Sequence, residues 1–356
     1  MRFGSVGDPD LGAYEVDSCQ ARKAEAILTS EPPEPVFPNP HPDAQWFKTA
    51  KRGTMLHWGI HSVDTLEPSW AMMRNTWFVS SPLAKEDYYA LAERFNPCDY
   101  DPEKWAVAWK KAGMVYAILT TKHHDGYALW PTKYGDMNTR VYMNGRDLVR
   151  PFMEACRRHG IKVGLYFSQP DWHYPGYRAT AGALVNGQWE HGAKPPPLPP
   201  EENQRRFQRY YAYIIAQLEE LLTGYGKIDL LWFDGQIWLD AGNGDIPART
   251  LAWVRGLHPG IVINERFGKI GDFISYEIKK PKAPPASWWE HVDQFGYGAG
   301  WGASTKFGTV EQLAATTNEM NVQGGNYTPN VSPMADGTFH PDFYTLCEET
   351  VASQRA

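Results

Sequence analysis

Short apolar segments alternate with amphipathic segments along most of the chain. The segments at 114–126, 161–172, 228–235 and 261–267 each contain an unbroken run of aliphatic and aromatic residues. Such runs are typical of strands that are buried on both faces of a sheet. The segments between them repeat apolar residues at the spacing of one helical face. This alternation predicts repeated β-α units and therefore a parallel sheet.

The predicted helices have recognisable ends. They cover 101–113, 148–160, 201–226, 247–260 and 309–321. The helix at 101–113 begins with Asp101 as N-cap and Pro102 at the first helical position, and it ends at Gly113. At least five β-α units predict an α/β fold that is a (β/α)8 TIM-like barrel, with allowance for irregular strands. A doubly wound dinucleotide fold is disfavoured because no strand leads into a Gly-x-Gly-x-x-Gly turn.

The chain divides into two parts at about residue 45. Residues 1–45 become rich in proline toward their end and predict an N-terminal extension, whereas 46–350 predict the catalytic barrel. The first barrel strand is expected within 52–63. The stretch 176–200 follows a strand as a long loop, and long loops of barrels commonly shape the active-site face.

Composition excludes several classes of partner. The 356 residues carry a net charge of −6, which disfavours nucleic acid and anionic membrane surfaces as partners. No apolar run is long enough to span a membrane, and no signal-peptide core is visible near residue 1. We therefore expect a cytoplasmic protein, or a periplasmic or secreted one if the chain has been trimmed. The four cysteines are scattered, which argues against a disulfide framework. We expect no cofactor and no metal, and the oligomeric state stays open.

Polar residues follow six predicted strands. They are His57, Trp58 and His61; Lys122, His123, His124 and Asp125; Gln169, Asp171, Trp172 and His173; Asp234; Glu265 and Arg266; and Glu277. In a barrel the carboxyl ends of all strands meet on one face, which carries the active site. The chain also has 15 tryptophans, and flat aromatic faces suit the C–H faces of sugars. The pattern therefore indicates a sugar-binding site at this face.

A pair of carboxylates could hydrolyse a glycosidic bond at such a site. Asp234 is the natural nucleophile because it ends a rigid apolar strand, and Glu277 or Glu290 is the candidate acid/base. Both glutamates are expected in loops. Asp234 could instead cap a helix or bind a metal ion.

Two interpretations of the histidines stay open. His57, His123 and His124 could hydrogen-bond sugar hydroxyls, or they could ligate a metal ion in a metal-dependent barrel hydrolase. Adjacent His123 and His124 are awkward ligands for one ion because neighbours on a strand face opposite sides. Arg266 is expected to bind a carboxylate, either Asp234 or a group of the substrate.

Several motifs of this chain match one family. They are "WFKTAKRGTMLHWGIHSV", "FNPCDYDPEKWAVAWKKAGMVYAILTTKHHDGYALW", "GLYFSQPDW", "LLWFDGQ", "INERF" and "GNYTPNVSPMADGTF". With these motifs the chain resembles the retaining α-L-fucosidases of glycoside hydrolase family 29. The match covers roughly residues 45–340. It implies a retaining exo-glycosidase that cleaves terminal α-L-fucosides of an oligosaccharide or glycoconjugate, without a cofactor.

The resemblance also implies roles for individual residues. Asp234 would form a covalent fucosyl intermediate, with Glu277 as the acid/base and Glu290 as the second candidate. The implied substrate-binding residues are His57, His123, His124, Trp232, Arg266, Trp70, Trp172 and Trp301. Trp301 matches an aromatic residue beside the methyl group of the sugar.

Three departures from the family pattern qualify this picture. Many members carry Glu-Trp after the first strand, where this chain reads "EPSW" and Ser69-Trp70 takes the place. The last barrel strand reads "GGNYTPN", which places Pro329 where a central strand needs an N–H. The family usually has a C-terminal β-sandwich, which we expect this chain to lack. A non-catalytic fucose-binding relative is a further alternative.

Overall fold

The computed structural model describes residues 12–32, 34, 36–77, 79–178, 182–235, 244–296 and 307–353. The strands are β1 (Gly53–Leu56), β2 (Met73–Arg74), β3 (Tyr116–Lys122), β4 (Lys162–Ser168), β5 (Gly182–Val185), β6 (Gln188–His191), β7 (Leu230–Asp234), β8 (Val262–Ile263), β9 (Phe273–Glu277), β10 (Trp288–Gln294) and β11 (Asn326–Asn330). The α-helices are α1 (Ser18–Thr29), α2 (Lys85–Tyr89), α3 (Leu91–Arg94), α4 (Pro102–Lys111), α5 (Thr139–Tyr142), α6 (Val149–Arg158), α7 (Pro200–Gly224), α8 (Ile246–Leu257), α9 (Val310–Val322) and α10 (Pro341–Ser353).

Eight parallel strands form a nearly closed barrel. Their order is β8-β7-β4-β3-β1-β11-β10-β9, and a parallel bridge between Asn264 and Phe273 connects the two ends of the sheet. This arrangement confirms the predicted TIM-like barrel. The barrel is irregular, since β8 has two residues whereas β3 has seven.

The barrel interior is a packed aromatic core that is closed at its amino-terminal end. Tyr116, Tyr166 and Trp232 belong to the buried cluster inside the barrel. Phe47, from the short helix before β1, lies 4.3 Å from Phe273 and 5.8 Å from Tyr116 between ring centres, so it closes this end. Phe47 thus covers the amino-terminal end of the interior, and the polar residues lie at the opposite, carboxyl end of the strands.

The first strand is shorter than predicted. β1 ends at Leu56, and Ile60–Val63 form a 3₁₀ helix in place of the expected continuation. The backbone N–H of His57 donates to the side chain of Asn330 at 3.3 Å rather than to a strand backbone. The chain consequently leaves the sheet here, and His57 lies at the rim of the barrel.

Pro329 lies within β11 and the strand forms around it. The N–H groups of Tyr327 and Val331 donate to the carbonyls of Lys51 and Met55, on the side of β1. Alternate residues of a strand donate to the same neighbour, so the N–H that Pro329 lacks falls between these two bonds. β1 and β11 accordingly share a single pair of matched residues.

A small second sheet borders the carboxyl face of the barrel. Its order is β2-β6-β5, from the loops that follow β1 and β4. β5 and β6 form a hairpin with Asn186-Gly187 as its two-residue turn, and both residues have positive φ, as a type I′ turn requires. The stretch 176–200 therefore contains a hairpin that the sequence analysis treated as loop.

The described part of residues 1–45 lies against the outside of the barrel. α1 packs on α7 and α8. Tyr14 is buried, and its hydroxyl donates to Asp136 at 2.7 Å. Among the described residues no helix has the length and apolar character needed to cross a membrane.

Candidate active site

Asp234 is a carboxylate held by several donors at the end of β7. Its Oδ1 accepts from Arg266 at 2.9 Å and from the N–H of Gly235 at 2.7 Å, and its Oδ2 accepts from the Tyr166 hydroxyl at 2.6 Å. Burial alone would raise the pKa of Asp234, but Arg266, His124 and these hydrogen bonds lower it to about 2. Asp234 is therefore ionised at neutral pH.

Gly235 allows the chain to turn away directly after Asp234. Its φ is 69°, and a Cβ at this position would lie 2.4 Å from the ring of Pro170. Any side chain there would be strained and would clash. The glycine thus keeps the carboxylate close to the barrel rim.

Arg266 joins two carboxylates. One terminal nitrogen of its guanidinium donates to Asp234, and the other donates to Glu277. The guanidinium lies 4.8 Å from the centre of the Trp232 ring, in a cation–π contact. The contact with Asp234 is one of the two alternatives expected for Arg266, and the contact with Glu277 was not predicted. The planar group holds two acids from different strands near each other.

Glu277 ends β9 and is the second acid of this pair. Its pKa is raised to about 7, first by burial and then by the negative charge of Asp234, while Arg266 opposes the shift. Two neighbouring carboxyl groups with well-separated pKa values are the usual sign of an acid and a base with different roles. At neutral pH a large fraction of Glu277 holds a proton, and Asp234 does not.

Glu290 lies inside a strand, so the expectation that it belongs to a loop is wrong. It belongs to β10 and is fully buried. Its carboxylate accepts from Trp232, Ser275, Tyr116 and Thr328 at 2.6–2.9 Å. Four donors occupy its acceptor capacity. Glu290 pairs with Ser275 and not with Glu277, so it also lies deeper in the barrel.

Three buried histidines line the pocket opposite this pair. The ring centre of His123 lies 5.6 Å from that of His57 and 4.2 Å from that of His124. Burial lowers the pKa of all three, to about 4 for His124 despite the nearby Asp234. They are therefore neutral at neutral pH, and each offers one donor and one acceptor nitrogen.

Hydrogen bonds assign the proton of two of these rings. Ser168 donates its hydroxyl to the carbonyl of Pro170 and therefore accepts from Nδ1 of His124 at 2.7 Å. The side chain of Asn330 donates to Gln294, so its oxygen accepts from Nδ1 of His57 at 3.0 Å. In both rings Nε2 is consequently an acceptor. Nε2 of His124 lies 3.5 Å from Oδ2 of Asp234.

Tyr166 is a site residue that the sequence analysis missed. Its ring stacks between His123, at 5.5 Å, and Trp232, at 5.2 Å, while its hydroxyl binds Asp234. A tyrosine inside a buried strand is typical of a core residue. Its position two residues before Ser168, on the same face of the strand, was the available signal.

Ser69 connects the pocket to a buried polar network. Its side-chain oxygen lies 2.6 Å from Nδ1 of His123 and accepts from the N–H of Asp125 at 2.7 Å. Its own N–H donates to the Tyr88 hydroxyl, which donates to the carboxylate of Asp125. Ser69, which takes the place of the family's glutamate in the sequence, therefore contacts a histidine of the pocket.

Two predicted tryptophans form the wall beside His124. Trp70 packs edge-on against His124 at 5.8 Å and against Trp172 at 5.3 Å. Trp172 also packs against Trp189 of β6, which ties this wall to the small sheet. The predicted residue Trp301 lies outside the described residues.

Other strand-end residues do not face the pocket. Lys122 and Asp171 form a buried ion pair at 3.3 Å, and Lys122 also donates to Gln217 of α7. A register shift in β3 near Lys122 turns this side chain outward. These residues support the barrel wall behind the site.

The described residues also contain a potential metal-binding group. His123, His124 and Asp234 each offer one ligand atom, and these atoms lie within 4.8 Å of one another. The alternative interpretation of the histidines as metal ligands therefore has a geometric basis.

Comparisons with known proteins give a consistent result. The model of the family described as alpha-L-fucosidase matches residues 24–351. Tissue alpha-L-fucosidase of Macaca fascicularis is 29% identical, over 94% of this chain and 70% of that protein. Alpha-L-fucosidase isoenzyme 1 from Paenibacillus thiaminolyticus has a TM-score of 0.72 and 31% identity, covering 88% of this chain and 76% of that one.

A structure from Bacteroides thetaiotaomicron adds information on chemistry. It is described as a GH29 α-L-fucosidase trapped as a covalent intermediate with 2-fluoro-fucosyl fluoride. Its TM-score is 0.72 and its identity 25%, covering 92% of this chain and 76% of that one. Together with the family match over most of its length, these results show that the chain belongs to the α-L-fucosidase family.

Proposed function

We propose that the protein is a retaining exo-α-L-fucosidase that hydrolyses terminal α-L-fucosides through a covalent fucosyl-Asp234 intermediate. The observation that carries the proposal is that Asp234 and Glu277, from different strands, bind one guanidinium, with a low pKa at Asp234 and a raised pKa at Glu277. Retaining glycosidases need two carboxyl groups close together, about 5–5.5 Å apart, so that one reaches the anomeric carbon while the other reaches the leaving oxygen.

In the first step Asp234 attacks the anomeric carbon and forms a C–O bond. The glycosidic C–O bond breaks, and Glu277 transfers its proton to the leaving oxygen. The positive charge that develops on the sugar lies beside the carboxylate of Asp234, which stabilises it in a site with little water. The proton moves from Glu277 to the leaving oxygen, and Asp234 stays unprotonated throughout the step.

In the second step Glu277 acts as the base. Once Asp234 is esterified it carries no charge, so one of the causes that raise the pKa of Glu277 disappears. The carboxylate of Glu277 then takes a proton from water, the oxygen attacks the anomeric carbon, and the bond to Asp234 breaks. Two inversions at the same carbon give net retention.

The neutral histidines and the aromatic wall suit recognition of an uncharged sugar. Nε2 of His57 and of His124 can each accept a hydroxyl hydrogen, and Trp70 and Trp172 offer apolar faces. The Bacteroides relative is described with a fucosyl ligand, and we extend this sugar to the present chain. The proposed substrates are fucosylated oligosaccharides or glycoconjugates.

Glu277 is the proposed acid/base in preference to Glu290. Its only described side-chain partner is Arg266, and it ends its strand at the pocket. Glu290 is occupied by four donors in the interior, and moving a proton there would leave donors unpaired. We assign Glu290 to the structure of the barrel.

The test is the Asp234→Gly variant with an aryl α-L-fucoside. Turnover should fall by several orders of magnitude, and added azide should restore release of the aryl group and yield β-L-fucosyl azide. ¹H NMR of the wild-type reaction should show α-L-fucose as the first product. Unchanged turnover in the variant, or β-L-fucose as the first product, would contradict the proposal.

A further inference from the structure

His123, His124 and Asp234 combine three potential ligand atoms on one side of the pocket. The ligand atoms of a tetrahedral zinc ion lie about 3.3 Å apart. Nε2 of His124 and Oδ2 of Asp234 are already separated by 3.5 Å, and the third atom lies within 4.8 Å of both. With the third atom closer than this limit, the three residues would supply three of the four ligands of a tetrahedral ion.

The surroundings orient these ligands as in known metal sites. Histidines that bind metals usually donate their other ring nitrogen to a fixed acceptor. His124 does so through Ser168, whose hydroxyl is committed to the carbonyl of Pro170. His123 can do so through Ser69, whose hydroxyl has the carboxylate of Asp125 as an alternative acceptor. Both rings can then present Nε2 lone pairs.

The spacing of His124 and Asp234 suits a cation between them. Nδ1 of His124 lies 2.7 Å from the Ser168 hydroxyl, and Nε2 lies 3.5 Å from Oδ2 of Asp234. This separation matches that of two ligand atoms of one ion. A sugar hydroxyl or a metal ion can lie between these two atoms, but not both together.

We propose that His123, His124 and Asp234 form a reversible binding site for a borderline divalent cation of the Zn²⁺ class, and that this cation and fucose exclude each other. The exclusion rests on the proposed function, whereas binding of the ion does not. Two imidazoles and one carboxylate suit Zn²⁺, while Mg²⁺ and Ca²⁺ prefer six or more oxygen ligands. Arg266 lies 2.9 Å from the other oxygen of Asp234, and its positive charge keeps binding reversible.

A bound ion would inhibit the enzyme and not activate it. The carboxylate of Asp234 would coordinate the metal ion and could no longer attack the anomeric carbon. The positive ion would also repel the cationic sugar of the transition state. This distinguishes the proposal from a metal-dependent hydrolase, in which the ion is required.

Calorimetric titration of EDTA-treated protein with ZnCl₂ tests the binding. Surface histidines can bind Zn²⁺ weakly, so the site is defined as the component that is absent in His124→Gln. That component should also be absent with MgCl₂, at least tenfold weaker in Ser168→Ala, the size expected on loss of an orienting partner, and displaced by saturating L-fucose. The matched control is Ser62→Ala, which removes another buried serine hydroxyl and should bind Zn²⁺ like the wild type.

Thermal unfolding of each variant shows whether it folds. If His124→Gln does not fold, the weaker Zn²⁺ binding expected of Ser168→Ala still tests the site. Zn²⁺ binding that L-fucose and both pocket variants leave unchanged would overturn the proposal. Hydrolysis of an aryl fucoside should be inhibited competitively by Zn²⁺ and recover with EDTA. Activation by Zn²⁺ would also overturn it. If the wild type hydrolyses no fucoside at all, the proposed function fails while the titration still decides the metal site.

Discussion

Asp234 and Glu277 have well-separated pKa values, and this difference predicts how activity depends on pH. Glu277 must be protonated to act as the acid, and its pKa is about 7. kcat/KM should therefore fall as pH rises through about 7, while the low pKa of Asp234 keeps the acid limb far below neutrality. Glu277→Gln should remove this basic limb and lower kcat/KM on a natural glycoside by about 10²- to 10⁴-fold.

Glu290→Gln is the matched comparison for this profile. It changes the same group within the barrel interior, so it should lower stability but leave the basic limb in place. A basic limb that persists in Glu277→Gln and vanishes in Glu290→Gln would transfer the role to Glu290.

A second prediction concerns Ser69, where the chain departs from the family pattern. Ser69→Ala leaves Nδ1 of His123 and the N–H of Asp125 without this partner. An unpaired buried group costs about 1–3 kcal/mol. We expect the KM of an aryl fucoside to rise by about five- to thirtyfold with a smaller change in kcat. Steady-state kinetics beside Ser62→Ala measure this, and an equal loss in both variants would contradict a specific role.

At the scale of residues, the charged site residues were easier to predict from the sequence than the residues that contact them. Asp234, Arg266 and Glu277 were recognisable because a charge after an apolar strand has few structural reasons to be there. Tyr166 was not, because a tyrosine in a buried strand is common without any function, and for Ser69 the sequence indicated the position but not the contact with His123. Their roles depend on contacts 54 to 68 positions away along the chain.

At the scale of elements, the long strands and helices were predictable and the short ones were not. β3, β4 and β7 have unbroken apolar runs, whereas β10 reads "WWEHVDQ", and its Glu290 points into a polar layer of the barrel. Glu290 was assigned to a loop for this reason. β1 was predicted too long because Trp58, Ile60 and Val63 continue an apolar pattern after Leu56, although Ile60–Val63 form a 3₁₀ helix.

The helix before β1 has a structural role that can be tested. Phe47 is fully buried and closes the amino-terminal end of the barrel against Tyr116 and Phe273. Phe47→Ala should lower the free energy of unfolding by about 3–5 kcal/mol. Urea denaturation should show this, while Trp77→Ala, at a side chain that is 83% exposed, should change it by less than about 0.5 kcal/mol. A small effect of Phe47→Ala would mean that other side chains refill this end.

At the scale of the whole molecule, the open question is how the segment before residue 46 relates to the barrel. We propose that 46–350 form the catalytic unit and that 1–45 extend from it as a wrapped segment. Asn39 is a buried residue of this segment that forms several hydrogen bonds with the barrel. Its N–H donates to Asp272 at 2.7 Å, and its side chain donates to the carbonyls of Pro259 and Ile261 at 2.9 Å. These bonds connect the segment to the end of α8 and to the start of β8 and β9.

Asn39→Ala should therefore loosen the segment and destabilise the barrel together. The variant leaves the carbonyls of Pro259 and Ile261 without this donor, at a cost of about 1–3 kcal/mol each if both stay buried. Because α1 covers α7 and α8, the segment should not detach while the barrel stays intact. Urea unfolding followed by tryptophan fluorescence and by loss of fucosidase activity should give one shared transition, shifted to lower urea. Asn318→Ala, at an exposed position of α9, should leave that transition in place. Two separate transitions in Asn39→Ala, with activity lost only in the second, would show that the segment is an independent unit.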